Sequence, residues 1–174
     1  MSNDLPEVYI LRHQITVDER GSFQKILSES GYANSRVLKF SESAISINRV
    51  KGTIRGMHFK KYPSMEWKLV TCTNGTIFDV TIDVRKKSKN YGRGYVNKLS
   101  ANSGMSLVIP PGFAHGYQTL TDDAHLYYQF TESHHFFTDS RLLWNDPFLG
   151  IDWPEPVSNI SVLDKDAPSW PVEY

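Results

Sequence analysis

The sequence predicts an all-β domain, a sandwich or barrel of short strands. Three observations carry this. β-rich runs recur at short, regular intervals; an Asn-Gly pair stands between two of them; and helical periodicity is almost absent. The runs are Val8–Leu11, Ser46–Ile54, Lys68–Thr73, Thr76–Val84, Tyr95–Leu99, Ser106–Ile109, Gly116–Leu120 and Leu126–Thr131. Helix is expected only over Leu27–Tyr32 and in a turn near the C-terminus. The Pro- and Asp-rich stretch after Trp144 is expected to wrap the strands as irregular structure.

The chain has 174 residues, the size of a single domain over 1–174, with no repeat or long polar linker. Its 19 basic and 19 acidic residues cancel, which argues against a nucleic-acid binder. One cysteine, Cys72, cannot form an intrachain disulfide or a Cys-rich zinc site, and fits a reducing, cytoplasmic setting. The first residues, MSNDLPEVYI, show no signal-peptide pattern, and no apolar run has the length of a membrane span. A membrane partner is therefore not expected.

Asn74-Gly75 is the strongest short hairpin signal in the chain, and as a two-residue turn it pairs Thr73 with Thr76. Lys68 then lies opposite Thr81, with Asp79 and Asp83 diagonal to it. Side chains alternate, so these polar groups share a face with Val70, Cys72 and Ile77. Leu69, Thr71, Phe78, Val80, Ile82 and Val84 form the other face, which reads as core. The Lys–Asp face reads as a solvated ion pair or, at a barrel mouth, as part of a ligand site.

Six histidines are present: His13, His58, His115, His125, His134 and His135. His58-Phe-Lys60 is not a His-x-His pair, and His134-His135 on a strand point to opposite faces. No metal site is expected from these spacings. His58 then stands as an acid–base residue or as structure. His115 falls in the Pro/Gly-rich turn Ile109-Pro-Pro-Gly-Phe-Ala-His115-Gly116. Of the neighbouring Tyr127 and Tyr128, alternation turns Tyr128 inward with Leu126 and Phe130. It serves there as a core aromatic or as a proton donor.

Five motifs occur in order. They are Gly52-Thr-Ile-Arg55-Gly-Met-His58-Phe, Glu66-Trp-Lys68-Leu-Val, Gly75-x-x-x-Asp79-Val-x-x-Asp83-Val-Arg85, the His115 turn, and Trp144-Asn-Asp146-Pro-x-x-x-Ile151-x-Trp153-Pro154. With them the chain, from about Asp18 to Asp166, resembles the dTDP-4-dehydrorhamnose 3,5-epimerase family of cupins. The resemblance implies a cupin-type jelly-roll β-barrel with short peripheral helices. It implies an isomerase that inverts C3, C5 or both of a nucleotide-diphospho 4-keto-6-deoxysugar, in deoxysugar and cell-surface polysaccharide (O-antigen) biosynthesis. No cofactor is implied, because the ketone itself is the electron sink.

Residue by residue, the resemblance implies His58 as the base and Asp166 as the acid that orients it. Lys68 is implied as the cation beside the developing enolate, and Tyr128 as the donor on the opposite face. Arg55 and Arg20, the latter in Asp18-Glu-Arg-Gly-x-Phe23, are implied to hold the diphosphate. His115 and Phe23 are implied as pocket residues, with Asn48, Lys60 and Asp79 as further substrate contacts. It also implies a homodimer that exchanges strands, so that Arg20 and Phe23 serve the partner's site. The chain departs from the family pattern at Ser43-Ala-Ile45, which stands for a Gln-x-Asn group, and at Lys60, which stands for Gln. His134 or His135 takes the place of an aromatic residue. These positions concern recognition of nucleotide and sugar, not proton transfer. Rival readings are a C3-only or C5-only epimerase of a CDP- or GDP-linked sugar, a 3,4-ketoisomerase, and an inactive sugar-binding cupin. A bulge at Gly56 is expected, since strict alternation would put Arg55 and His58 on opposite faces.

Overall fold

A computed structural model describes residues 7–27, 38–133 and 139–172. The strands are β1 (Tyr9–Arg12), β2 (Ile15–Asp18), β3 (Gly21–Gln24), β4 (Glu42–Asn48), β5 (Ile54–Phe59), β6 (Lys68–Asn74), β7 (Thr76–Asp83), β8 (Gly94–Ser100), β9 (Met105–Ile109), β10 (Phe113–Thr119), β11 (Ala124–Phe130) and β12 (Ser140–Arg141); one short helix, α1, spans Val162–Lys165. Two five-stranded antiparallel sheets form, in the orders β1-β9-β6-β11-β4 and β12-β5-β10-β7-β8, and β2-β3 stands apart as a hairpin. Among the described residues no helix is long and apolar enough to cross a membrane.

The pairing is nested: β4 with β11, β5 with β10, β6 with β9, β7 with β8. Eight strands thus form one long double ribbon wrapped so that its successive strand pairs alternate between the two sheets, which is a jelly roll. The expected all-β jelly roll is present. The expected Asn74-Gly75 hairpin is not. β6 and β7 lie in different sheets, and Gly75 (φ 72°) is the corner between them. Asn74 Nδ2 donates to the Asp123 carbonyl, and the Thr76 amide donates to Thr121 Oγ1. The turn signal was real, but partners from the 121–124 loop pull the chain across to the other sheet.

The Lys68–Thr81 pairing therefore does not exist; Lys68 is opposite Ile109 on one side and Phe130 on the other. The alternation within each strand survives. Val70, Cys72 and Ile77 pack between the sheets with Leu107, Leu126 and Tyr117. Leu69, Thr71, Val80, Ile82 and Val84, on the face read as core, are buried as expected, but on the outer side of each sheet under chain that packs over it. Val80, Ile82 and Val84 are covered by Leu142, Ile151, Trp153, Trp170 and Val172, so the C-terminal segment does wrap the strands. Leu69 packs with Leu11, Val108, Leu38, Phe40 and Trp67 on the outside of the other sheet.

The run Ser46–Ile54 is two strands. Gly52 turns the chain between them at φ 78°, in a place where a Cβ would stand 2.4 Å from the Pro156 carbonyl oxygen. Of the helix expected at Leu27–Tyr32, all but Leu27 lies outside the described residues, as do His134 and His135.

Candidate active site

A cleft of about 720 Å³, counting its solvent-open part, lies between the sheets and is lined by Arg55, His58, Lys68, His115, Tyr117, Tyr128 and Phe130, with Ala44, Ile45 and Ser46 at its rim. Arg55, His58, His115 and Tyr117 come from β5 and β10 of one sheet. Lys68 and Tyr128 come from β6 and β11 of the other. His58 and Tyr128 therefore face one cleft from two opposed sheets.

Arg55 and His58 reach the same cleft because β5 carries one extra residue. His58 pairs with His115 and Arg55 with Tyr117, so three steps on β5 match two on β10. Gly56 sits in this bulge at φ 120°, and the Gly56–Met57 bond is cis. A Cβ on Gly56 would lie 2.5 Å from Gly116 Cα and 2.8 Å from the His115 carbonyl oxygen. Two facing glycines let the strands approach closely enough for the bulge to form.

His58 Nε2 is 2.7 Å from Asp164 Oδ1, and the Asp164 side chain is 2% exposed. This corrects the sequence expectation: the carboxylate against His58 is Asp164, whereas Asp166 is an exposed C-cap of α1. α1 explains the choice. Ser161 caps it, accepting the Asp164 amide, which turns the third helical side chain inward; two residues later the helix has rotated Asp166 to solvent. The signal was in the sequence as Ser161-Val-Leu-Asp164, a capping-box pattern. Asp164 Oδ2 also accepts the Gly56 amide, so the helix cap and the bulge are joined through one carboxylate. Burial pulls the Asp164 carboxyl upward, but the hydrogen bond and charge of His58, with the Gly56 and Ser161 contacts, outweigh it and hold it below the usual carboxylate range.

A second histidine–aspartate pair lies beside the first. His115 Nε2 is 2.7 Å from Asp79 Oδ2, and Asp79 is fully buried behind it. Asp79 thus orients His115 and does not itself line the cleft, contrary to its expected role as a substrate contact. Asn48 is also buried. Its Oδ1 accepts from Arg55 Nε at 2.8 Å and from the Tyr117 hydroxyl at 3.2 Å, so it orients Arg55. Lys60 is not at the cleft either: its ammonium lies 2.6 Å from Glu66 Oε2 and donates to the Ser133 carbonyl. The other Glu66 oxygen is 3.4 Å from Lys68 Nζ, which anchors that ammonium with 9% of its side chain exposed.

Tyr128 stacks on Phe130 and meets His115 edge-on, with ring centroids 5.7 and 6.2 Å apart. Burial, with Tyr117 and the Asp79 charge adding to it, pushes the Tyr128 phenol well above the ordinary tyrosine range. It therefore holds its proton at neutral pH, as a donor must. Tyr117 was missed in the sequence, although it lies two residues from His115 on one strand and so shares its face. Its hydroxyl is 2.9 Å from Ser46 Oγ.

Arg20 and Phe23 are not brought to this cleft. They stand on the β2–β3 hairpin, with the Arg20 side chain 83% exposed and paired to Asp18, and Phe23 67% exposed. Among the described residues no three His, Cys, Asp or Glu side chains converge as a metal-holding group.

The family model for dTDP-4-dehydrorhamnose 3,5-epimerase matches residues 2–171. The dTDP-4-dehydrorhamnose 3,5-epimerase of Sinorhizobium fredii is 36% identical over 170 residues, 97% of this chain and 87% of that protein. The crystal structure of the Bacillus anthracis dTDP-4-dehydrorhamnose 3,5-epimerase, with TDP and PPi bound, aligns at a TM-score of 0.87 and 32% identity, covering 94% of each chain. That of the Legionella pneumophila dTDP-6-deoxy-D-glucose-3,5-epimerase, in complex with dTDP-4-keto-L-rhamnose, aligns at 0.86 and 30% identity, covering 96% of this chain and 89% of that one. On these matches, with the jelly roll and its cleft, the chain belongs to the dTDP-4-dehydrorhamnose 3,5-epimerase family.

Proposed function

We propose that the chain is an epimerase of a dTDP-linked 4-keto-6-deoxysugar, inverting the carbons on either side of the ketone. The observation that carries this is the opposition of His58 and Tyr128 across one cleft with Lys68 between the same walls. Inversion needs removal of a proton on one face of the sugar and its return on the other. A base and an acid on opposed sheets meet that need.

His58, its Nε2 bound to Asp164, takes the proton α to the ketone with its other ring nitrogen. The carbon–hydrogen bonding pair becomes the new carbon–carbon double bond, and the carbonyl pair moves onto oxygen. The Lys68 ammonium stabilises that enolate where its charge develops. When the enolate collapses to the ketone, Tyr128 delivers its proton to the carbon from the other face. Solvent restores both groups. The phenol's upward displacement keeps it neutral until it is needed. The ketone accepts the electrons, so the step balances without a cofactor. Arg55, steered by Asn48, holds the diphosphate at the cleft.

We propose further that two copies assemble, because Arg20 and Phe23 sit on a hairpin outside their own cleft while Ile45 and Ile47 stay exposed on the edge strand β4. A partner's hairpin would complete the nucleotide end of each site. The single buried cysteine suits a cytoplasmic setting.

Incubation with dTDP-4-keto-6-deoxysugars in D2O tests the function. Deuterium at C3 and C5, with inversion, is expected. Movement of the carbonyl without inversion would make the chain a 3,4-ketoisomerase, and no exchange with any sugar would remove the enzymatic reading.

A further inference from the structure

β12 is only two residues long, yet it lies on the edge of its sheet where Arg141 is the register partner of His58. The Arg141 side chain is 12% exposed, and its Nε donates to Asp164 Oδ1 at 3.3 Å. That is the oxygen His58 Nε2 meets at 2.7 Å. A second donor, Arg141 Nη1, is tied to the Asp139 carbonyl at 3.2 Å, which fixes the guanidinium in place. One buried carboxylate oxygen thus serves an imidazole and a permanent cation together.

We propose that Arg141 is a positioning residue of the proton-transfer pair: it holds Asp164 charged and oriented, and it sets the lower pH limit at which His58 works as a base. The physical reason is charge sharing. A carboxylate alone against His58 favours the imidazolium and so keeps the histidine protonated. A guanidinium on the same oxygen offsets that pull while leaving the hydrogen bond intact, because arginine does not lose its proton. His58 then sheds its proton at lower pH and is ready for the substrate. Asp164 in turn stays ionised whether His58 is charged or neutral.

The other groups facing His58 are Asp164 from α1, His115 from β10, Arg55 from its own strand, and Lys68 and Tyr128 from the opposite sheet.

This inference rests on the reading of His58 as the base, and its test separates the two. The parent, R141Q and R141K are compared by two measurements. One is the NMR titration of the His58 ring in the protein without sugar. The other is the acid limb of the pH profile for deuterium exchange into a dTDP-4-keto-6-deoxysugar. In R141Q both are expected to move to higher pH by about half to one unit, with KM unchanged, while R141K returns them toward the parent. An R141Q ring titration within about 0.2 unit of the parent's, or an R141K protein that behaves as R141Q does, overturns the proposal. A shifted ring titration in a protein that exchanges no sugar leaves the Arg141 role standing and removes the epimerase reading instead.

Discussion

Replacing Asp164 by Asn tests the aspartate that the structure puts against His58 in place of the expected Asp166. The amide keeps the size of the side chain and an oxygen for the Gly56 amide, but loses the charge that His58 meets at 2.7 Å. The site is dry: the Asp164 side chain is 2% exposed and that of His58 13%. A hydrogen bond to a charged partner contributes about 1.5–3 kcal/mol net. Most of it is gained as His58 becomes positive in the transition state, so D164N is expected to slow exchange about 10- to 150-fold, at 1.36 kcal/mol per decade. D166N alters an exposed cap and is expected to stay within about twofold of the parent. The assay is deuterium wash-in from D2O, followed by NMR at C3 and C5 with saturating sugar. A D166N defect as large as that of D164N would refute the assignment. A stability readout accompanies it. Because the folded Asp164 carboxyl is held below its ordinary value, its contribution is present above the unfolded carboxylate pKa and is lost as pH falls through the lower folded one. D164N is therefore expected to flatten the acid side of the parent's stability profile in urea titrations.

Three further outcomes are expected. Tyr128→Phe removes the donor but not the base, so deuterium still enters the sugar while inversion falls at least about tenfold; loss of both together would place Tyr128 on the abstraction side. Gly56→Ala drives a methyl to within 2.5 Å of Gly116 Cα at a positive φ, and is expected to destabilise the fold by about 2–4 kcal/mol in urea unfolding; an unchanged midpoint would show that the bulge tolerates a side chain. Burial raises the Cys72 thiol to about 11, so the native protein at pH 8 is expected to resist a disulfide reagent that labels one thiol once urea is added.

What could be read from the chain alone follows from which interactions are local. Side-chain alternation is a property of a single strand. It chose Tyr128 over Tyr127, and it grouped Lys68 with Val70 and Cys72, and Ile77 with Asp79, on what proved to be the sides that face between the two sheets. Strand pairing is not local. Asn74-Gly75 carried a strong turn signal, but whether the chain doubles back or crosses to a second sheet was decided by Thr121 and Asp123, nearly fifty residues away. The face of Val80 and Ile82 read as core and is buried, but what buries it, the C-terminal wrap, has no periodicity to announce it. The Gly56 bulge could be expected, because the two polar residues flanking the glycine needed one face. Asp164 was readable from its capping pattern and was passed over for its neighbour. Arg141 had no such mark: it belongs to a two-residue strand between motifs, and only the register with His58 gives it a role.

The central claim is that His58 moves the proton. The direct measurement is deuterium incorporation into a dTDP-4-keto-6-deoxysugar by His58→Ala and the parent, at equal folded concentration and neutral pH. The account predicts incorporation at C3 and C5 by the parent and a rate at least about a thousandfold lower in the variant. A His58→Ala protein that exchanges and inverts at the parent's rate would contradict it.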